Sequence, residues 1–331
     1  MPVVSVLMPV YNAERYVKEA INSILNQTFK DFELVVLNDA SSDSSKEIIL
    51  SFQDARIRYI ENEHNRGLSF SRNRLLSEVT GEYIAWLDAD DIAHPTRLEE
   101  EYRFLEEHSN HAMVASWARL IDSEGKPTGN YIKSYIPDEY LSALLLFVNY
   151  FVQSSVMLRK SQLPEVHYRP EFPPTEDYEL WVRVAAQHEV AILPKTLVDY
   201  RIHTTNISSL QQQKSEKAVK LNHKMQLENL GILPSDEEVN LHYNIAFKKA
   251  ENLAFLQLTA DWLHRINQQN EISKRFEPKA LHYILAHRWI KVCTSNKALG
   301  VKALKLYFKS KFAEIRLRNT FLIMQYILKS K

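Results

Sequence analysis

The chain has 331 residues, enough for one large domain or two ordinary ones, and its 41 basic residues balance 41 acidic ones to a formal net charge of zero. That balance excludes a global electrostatic pull toward nucleic acid. The single cysteine, Cys293, excludes an intramolecular disulfide, and six glycines without a Gly-x-Gly among them exclude Walker and dinucleotide phosphate loops.

Residues 3–9 are apolar, lack a basic leader and run into polar Tyr11-Asn12, which predicts a first strand and not a secretory signal. Over 14–27, Tyr16, Val17, Ala20, Ile21, Ile24 and Leu25 recur at helical spacing and make one apolar stripe. A second strand is predicted at 32–38. Ser41, Ser42, Asp43 and Ser44 then offer N-caps for a helix through Ile48, Ile49 and Phe52. Strands at 57–61 and 83–87 follow, and Asp91 stands before a helix expected to start near Pro95. This alternation predicts an open, doubly wound α/β sheet, whose ligands bind outside the carboxyl ends of the strands. The longest apolar run, 141–152, is interrupted by Asn149 and is short of the roughly 20 residues a membrane span requires. After about Asn206 strand signals stop and helical spacing runs through Leu241, Ile245, Leu253 and Leu256, so a helical region is expected at 206–331 behind a domain at 1–205.

Four polar features sit at predicted strand ends. Pro9-Val10-Tyr11-Asn12 places an aromatic face and an amide at the sheet's mouth, where a planar base could stack. Asp39 tips the second strand, where a carboxylate either accepts a base N–H or ribose hydroxyl or serves as a turn residue. Asp88, Asp90 and Asp91 put three carboxylates within four residues after an apolar strand, and these repel one another without a compensating cation or ligand donors. Oxygen ligation of that kind suits Mg²⁺ or Mn²⁺ bridging a diphosphate, while the bland alternative is a solvated loop with Asp91 as helix cap. Glu176-Asp177 follows Pro173-Pro174 at the head of an amphipathic segment, either as helix-dipole decoration or as a rigidly held general base. Downstream, Tyr200-Arg201-Ile202-His203 gathers a cation and an imidazole.

Taken together and in order, Pro9-Val10-Tyr11-Asn12, Asn38-Asp39-Ala40-Ser41-Ser42-Asp43, Asn65-Arg66-Gly67-Leu68 with Ser71-Arg72-Asn73, Asp88-Ala89-Asp90-Asp91, Glu176-Asp177 with Leu180-Trp181, and Tyr200-Arg201-Ile202-His203 resemble the inverting glycosyltransferases of family 2. The resemblance implies a GT-A fold, a Rossmann-like open, mainly parallel sheet flanked by helices, with a C-terminal helical extension. By the same resemblance, Pro9, Tyr11 and Asn12 would belong to the nucleotide-sugar site. Tyr11 would stack on uracil, Asp39 would accept its ring N–H, Arg72 would help hold the nucleotide and Asp88 would meet the ribose. Asp90 would ligate Mn²⁺ or Mg²⁺, with His203 as a second metal ligand or a contact to the diphosphate. Asp177 matches the catalytic base, with Glu176 beside it as the other candidate carboxylate.

The Gln-x-x-Arg-Trp motif of processive members is missing, so addition of one sugar is expected. The pattern is most similar to bacterial enzymes that build lipooligosaccharide or capsule chains, which implies a UDP-sugar donor (hexose or N-acetylhexosamine) and a saccharide or lipid-linked saccharide acceptor. The alternative is a non-catalytic nucleotide-sugar-binding scaffold subunit. Cysteine usage fits the reducing cytoplasm. From His287 onward eleven basic residues meet one acid, Glu314, a net +10. Among them Val301, Leu304, Phe308, Phe312, Ile315, Phe321, Met324 and Tyr326 supply apolar bulk, which suits a peripheral place on the anionic inner face of the cell membrane. The alternative is packing onto the catalytic domain or onto a second subunit in an oligomer.

Overall fold

The computed structural model describes residues 1–163, 166–204 and 211–313. It divides into two compact units, one of 1–138 with 149–218 and one of 139–148 with the chain from Val219 on.

The first unit is built on a nine-stranded sheet. Strand β1 (Val4–Val10) is buried at every position, as expected of a central strand covered on both faces. It pairs in parallel with β2 (Phe32–Asn38) and β4 (Tyr83–Trp86), and β3 (Ile57–Glu61) extends the parallel run beyond β2. Helix α1 (Val17–Leu25) turns Val17, Ala20, Ile21 and Ile24 into a core shared with Val4, Val6, Met8 and Val10. It ends before the predicted 14–27 segment does, and Gln27 beyond it bonds elsewhere, accepting from Leu98 N–H at 2.9 Å and donating to the His94 carbonyl at 2.8 Å.

Beyond β4 the sheet becomes mixed. Strand β8 (Met157–Arg159) is antiparallel to β4 and to β6 (His111–Ile121). Strand β9 (Glu189–Arg201) runs parallel to β6, while β5 (Ile92–Ala93) pairs antiparallel with β9 and β7 (Pro127–Ile132) with β6. The parallel half is the expected one. The mixed half comes from the antiparallel strands β5, β7 and β8, of which β5 and β8 are two and three residues long and too short to show alternation in sequence.

Helix α2 (Ser45–Leu50) begins one residue after the proposed cap cluster. Asp43 anchors that start, accepting Ser45 N–H at 3.0 Å and Glu14 N–H at 2.9 Å. Helix α3 (Leu68–Ser77) starts after Gly67, whose φ of +83° favours glycine. Helix α4 (Arg97–Glu107) starts after Thr96, so Asp91 is not its cap; strand β5 lies between them. Helix α6 (Glu176–Ala185) carries three acidic residues in its first turn, as the dipole favours.

The second unit comprises helix α5 (Leu141–Leu144), part of Gln212–Leu230, and the helices Asp236–Phe247, Leu253–Ser273, Pro278–Cys293 and Gly300–Lys309. The apolar run at 141–152 is thus divided between the units. The carbonyls of Leu145, Leu146 and Phe147 accept from Gln226 Nε2 (2.9 Å), His242 Nε2 (2.8 Å) and His223 Nε2 (3.1 Å), so side chains complete what the short helix cannot. The helical spacing through Leu241 and Leu256 is broken at Asn252, whose side chain caps a new helix by accepting Phe255 N–H at 2.8 Å. Residues Ile315, Phe321, Met324 and Tyr326 of the basic tail lie outside the described residues.

Candidate active site at the strand ends of the first unit

The loops after β1 and β2 clasp each other. Asn12 and Ala40 both take left-handed backbone, with φ of +50° and +55°. Asn12 N–H donates to Ser41 Oγ at 3.0 Å, while its Oδ1 accepts Ser42 N–H at 2.8 Å. Asn12 therefore organises the loop pair. Tyr11 stands clear at 52% exposure, whereas Pro9 is buried within β1.

Asp39 is buried and accepts three hydrogen bonds: Asn62 Nδ2 at 2.6 Å, Arg66 N–H at 3.0 Å and Gly67 N–H at 3.0 Å. It ties the Asn65-Arg66-Gly67 loop to the tip of β2. An ionised carboxylate has about four acceptor sites, which leaves one for a ligand.

The central element is Arg72 on α3. Its guanidinium is buried and donates to Glu176 Oε1 at 2.7 Å and to Asp88 Oδ1 at 3.1 Å. Two carboxylates thus offset the desolvation cost of a buried cation. The neighbouring Asn73 holds both backbone groups of Tyr168, at 2.8 and 2.7 Å, and the Tyr168 ring lies 5.4 Å from the Arg72 guanidinium carbon. Helix α3 thereby fixes the chain that leads into α6. Both hydrogen-bonding partners of Arg72 among the described residues, Glu176 and Asp88, are carboxylates of the protein. Glu176 is fully buried, one oxygen on Arg72 and the other without a hydrogen-bond partner.

Asp177 is half-buried beside it, with Asn149 Nδ2 at 3.5 Å. Burial first, and then the Glu176 charge, push its carboxyl up to about 7, against the opposing pull of Arg72. Asp88 is also held above its ordinary value, by burial and by Asp90, with Arg72 working the other way.

Asp90 and His203 meet at 3.0 Å between Oδ2 and Nε2. Their surroundings come from β9 and α1. Arg201 Nε donates to the Asp90 carbonyl at 2.8 Å, Nη2 donates to Glu19 at 2.6 Å, and the guanidinium stacks over Tyr16, whose ring lies 4.8 Å from that of His203. Asp91 points inward, accepting Arg201 N–H at 2.9 Å and the Ser154 hydroxyl; burial and the two neighbouring aspartates raise its carboxyl well above the usual range. The three aspartates thus have separate roles. Asp88 pairs with Arg72, Asp90 with His203, and Asp91 locks the loop. A carboxylate with an imidazole is a donor pair that a divalent cation can take. Among the described residues no three His, Cys, Asp or Glu side chains converge as a ready cage, so remaining ligand positions would fall to substrate oxygens and water.

Arg201, Ser154, Asn149 and Tyr168 had no assigned role from sequence. Arg201 was visible as a cation at a strand end, but the other three follow no pattern that sequence spacing registers.

The glycosyl transferase family 2 model matches residues 5–163. An uncharacterized glycosyltransferase of Methanocaldococcus jannaschii is 36% identical over 64% of this chain and 76% of its own length. One from Haemophilus influenzae is 32% identical over 69% and 73%. Among solved structures, S. aureus TarS 1-349 in complex with UDP-GlcNAc aligns over 90% of this chain and 92% of its own at a TM-score of 0.61 and 17% identity. The Pyrobaculum calidifontis mannosyltransferase PcManGT in complex with GDP-Man and Mn²⁺ aligns over 99% and 86% at 0.52 and 14%. These two likenesses concern the fold, which is the GT-A arrangement expected from the sequence motifs. On sequence and fold together, this chain belongs to glycosyl transferase family 2 and is a glycosyltransferase.

Proposed function

We propose that the enzyme transfers a single sugar, a hexose or N-acetylhexosamine, from a UDP-sugar to a saccharide hydroxyl with inversion, using a divalent cation, in bacterial surface polysaccharide or lipooligosaccharide synthesis. The observation that carries this reading is the Arg72 bridge, which joins the carboxylate on the nucleotide side, Asp88, to the head of the helix bearing the base. The donor class is supported by the exposed Tyr11 ring and by the fourth acceptor site of Asp39, which suit the face and the ring N–H of uracil. Structural neighbours solved with UDP-GlcNAc and GDP-Man agree with a nucleotide sugar.

In this reading the acceptor hydroxyl attacks the anomeric carbon as its proton passes to Asp177. The bond from that carbon to the diphosphate oxygen breaks, and its electron pair leaves with UDP. A carboxylate poised near 7 suits proton acceptance at neutral pH. Arg72 keeps Asp177 from rising further and holds Asp88 toward the ribose. Asp90 and His203 would hold Mn²⁺ or Mg²⁺, which when bound offsets the charge developing on the leaving diphosphate. Asp91, Ser154 and Arg201 keep that loop in register. The acceptor is a saccharide, free or lipid-linked, and the reaction belongs on the cytoplasmic side, where nucleotide sugars are supplied.

A panel of UDP-sugars tested with Mn²⁺ by thermal shift and then by hydrolysis and transfer checks the reading. One donor should raise the melting temperature and release UDP, because ligands that bind only the native state stabilise it. Binding of a sugar nucleotide without turnover in the presence of saccharide acceptors would instead make the chain a scaffold subunit.

A further inference from the structure

The second unit has a basic surface that the transfer reaction does not use. From Lys291 to Ala313 the chain carries six basic residues (Lys291, Lys297, Lys302, Lys305, Lys309 and Lys311) and no acid. The helix Gly300–Lys309 turns Ala303, Leu304 and Tyr307 inward. Its outer side is not polar throughout. Val301 is 68% and Phe308 52% exposed, and Lys302, Lys305 and Lys309 are exposed around them. Residues 301, 305 and 308 are spaced to share one face of a helix, so lysine and large apolar groups are interleaved there. A groove of about 400 Å³ lies alongside, between Leu253, Ala254 and Gln257 on one helix and Lys302, Leu306 and Lys309 on the other. Leu258, on the same helix as that first wall, is 58% exposed.

We infer that this face docks on an anionic lipid surface, with the lysines on headgroup phosphates and Val301 and Phe308 in the interfacial layer. The combination selects the partner. A second copy docked through the same face would set lysine against lysine, which costs energy. A nucleic acid would satisfy the lysines but leave two large apolar side chains in water. An interface with phosphate outside and hydrocarbon beneath satisfies both.

Flotation of the full chain with vesicles of phosphatidylcholine and phosphatidylglycerol, against phosphatidylcholine alone, tests it without any donor. The wild type should float with the anionic vesicles at low salt, release as salt rises, and stay behind with the neutral ones. K302E/K305E/K309E should lower partitioning by about tenfold or more. V301S/F308S, which keeps every charge, should weaken it by a smaller factor and leave UDP-sugar hydrolysis unchanged. Absence of wild-type flotation, or unaltered flotation of both variants, overturns the inference. So does binding of duplex DNA in place of vesicles, or a dimer in sedimentation velocity that V301S/F308S abolishes.

Discussion

Both units bury titratable groups, and they do so to opposite ends. In the first, burial and neighbouring carboxylates raise Asp88, Asp91 and Asp177 above their ordinary range, against the pull of Arg72 on Asp88 and Asp177 and of the Ser154 and Arg201 hydrogen bonds on Asp91. In the second, burial lowers two histidines, His223 and His242, that donate to the carbonyls of Phe147 and Leu146. A raised carboxyl keeps its proton to higher pH, so that of Asp177 titrates near neutrality. The histidines are kept neutral, and Trp262 Nε1 donates to His242 Nδ1 at 3.0 Å to complete that neutral ring's hydrogen bonding. A carboxyl that titrates near neutrality at the rim suits proton exchange, whereas neutral polarity held inside serves shape.

The comparison breaks first at the rim. Asp90→Asn should lower turnover by about three orders of magnitude while the fold persists, since a carboxylate lost from a cation site removes several kcal/mol of transition-state stabilisation. Full activity of this variant, or of the wild type in excess EDTA, would take Asp90 out of the chemistry. Asp177→Asn should cut kcat by roughly 10² to 10⁴ and leave donor affinity near wild type. Wild-type kcat/KM should climb with pH through about 7 as Asp177 loses its proton. A parallel collapse of donor binding would assign Asp177 to the nucleotide site instead.

Arg72→Met tests the bridge itself. It leaves Glu176 buried without its partner, a loss of about 3–5 kcal/mol in stability, and the double variant with Glu176→Gln should recover part of it. Additive losses measured by urea unfolding would show that the pair is not coupled.

The interior of the second unit breaks by acid. His242 falls from 6.5 to about 4 on folding, and His223 falls well below 6.5, so the unfolded chain binds more protons than the folded one. Stability is therefore complete above pH 6.5 and declines as pH falls below it. For His242 the decline is on the order of 2–3 kcal/mol by pH 4. His242→Phe should flatten the acid limb of a melting-temperature profile; an unchanged limb would assign acid sensitivity elsewhere. The smallest effect is expected at Asn252→Ala, which removes the cap of Leu253–Ser273 at about 1 kcal/mol. A change below the error of denaturant titration would mean that packing alone starts that helix.

Much of the first unit was readable in order along the chain. Strands β1 to β4 announce themselves because a parallel strand covered on both faces needs an unbroken apolar run, and α1 because one stripe must face it. The carboxyl ends then located Tyr11, Asp39, Asp88 and Asp90 as candidates, since loops at those ends must be polar while the strands are not, and Asp177 stood out at the head of an amphipathic segment after two prolines. The pairing of Asp90 with His203 was anticipated only as a shared interest in one cation, across 113 residues of chain. Separate roles for three adjacent aspartates could not be read, because direction at a loop depends on φ and ψ and on which distant groups arrive. Asp91 reads as a cap until Ser154 and Arg201 are seen to reach it.

What sequence by itself determined is therefore the family, the parallel half of the sheet and the residue types at its mouth, all of which are local patterns of polarity and spacing. Tertiary structure alone decided that Arg72 serves Glu176 and Asp88 and that Glu176 is sealed from solvent. It also decided that the run at 141–152 is divided between two units, and that Val301 and Phe308 face outward among lysines. Each of these depends on which side of an element meets another, and burial of a charge or exposure of an apolar group is a property of that meeting and not of the residue.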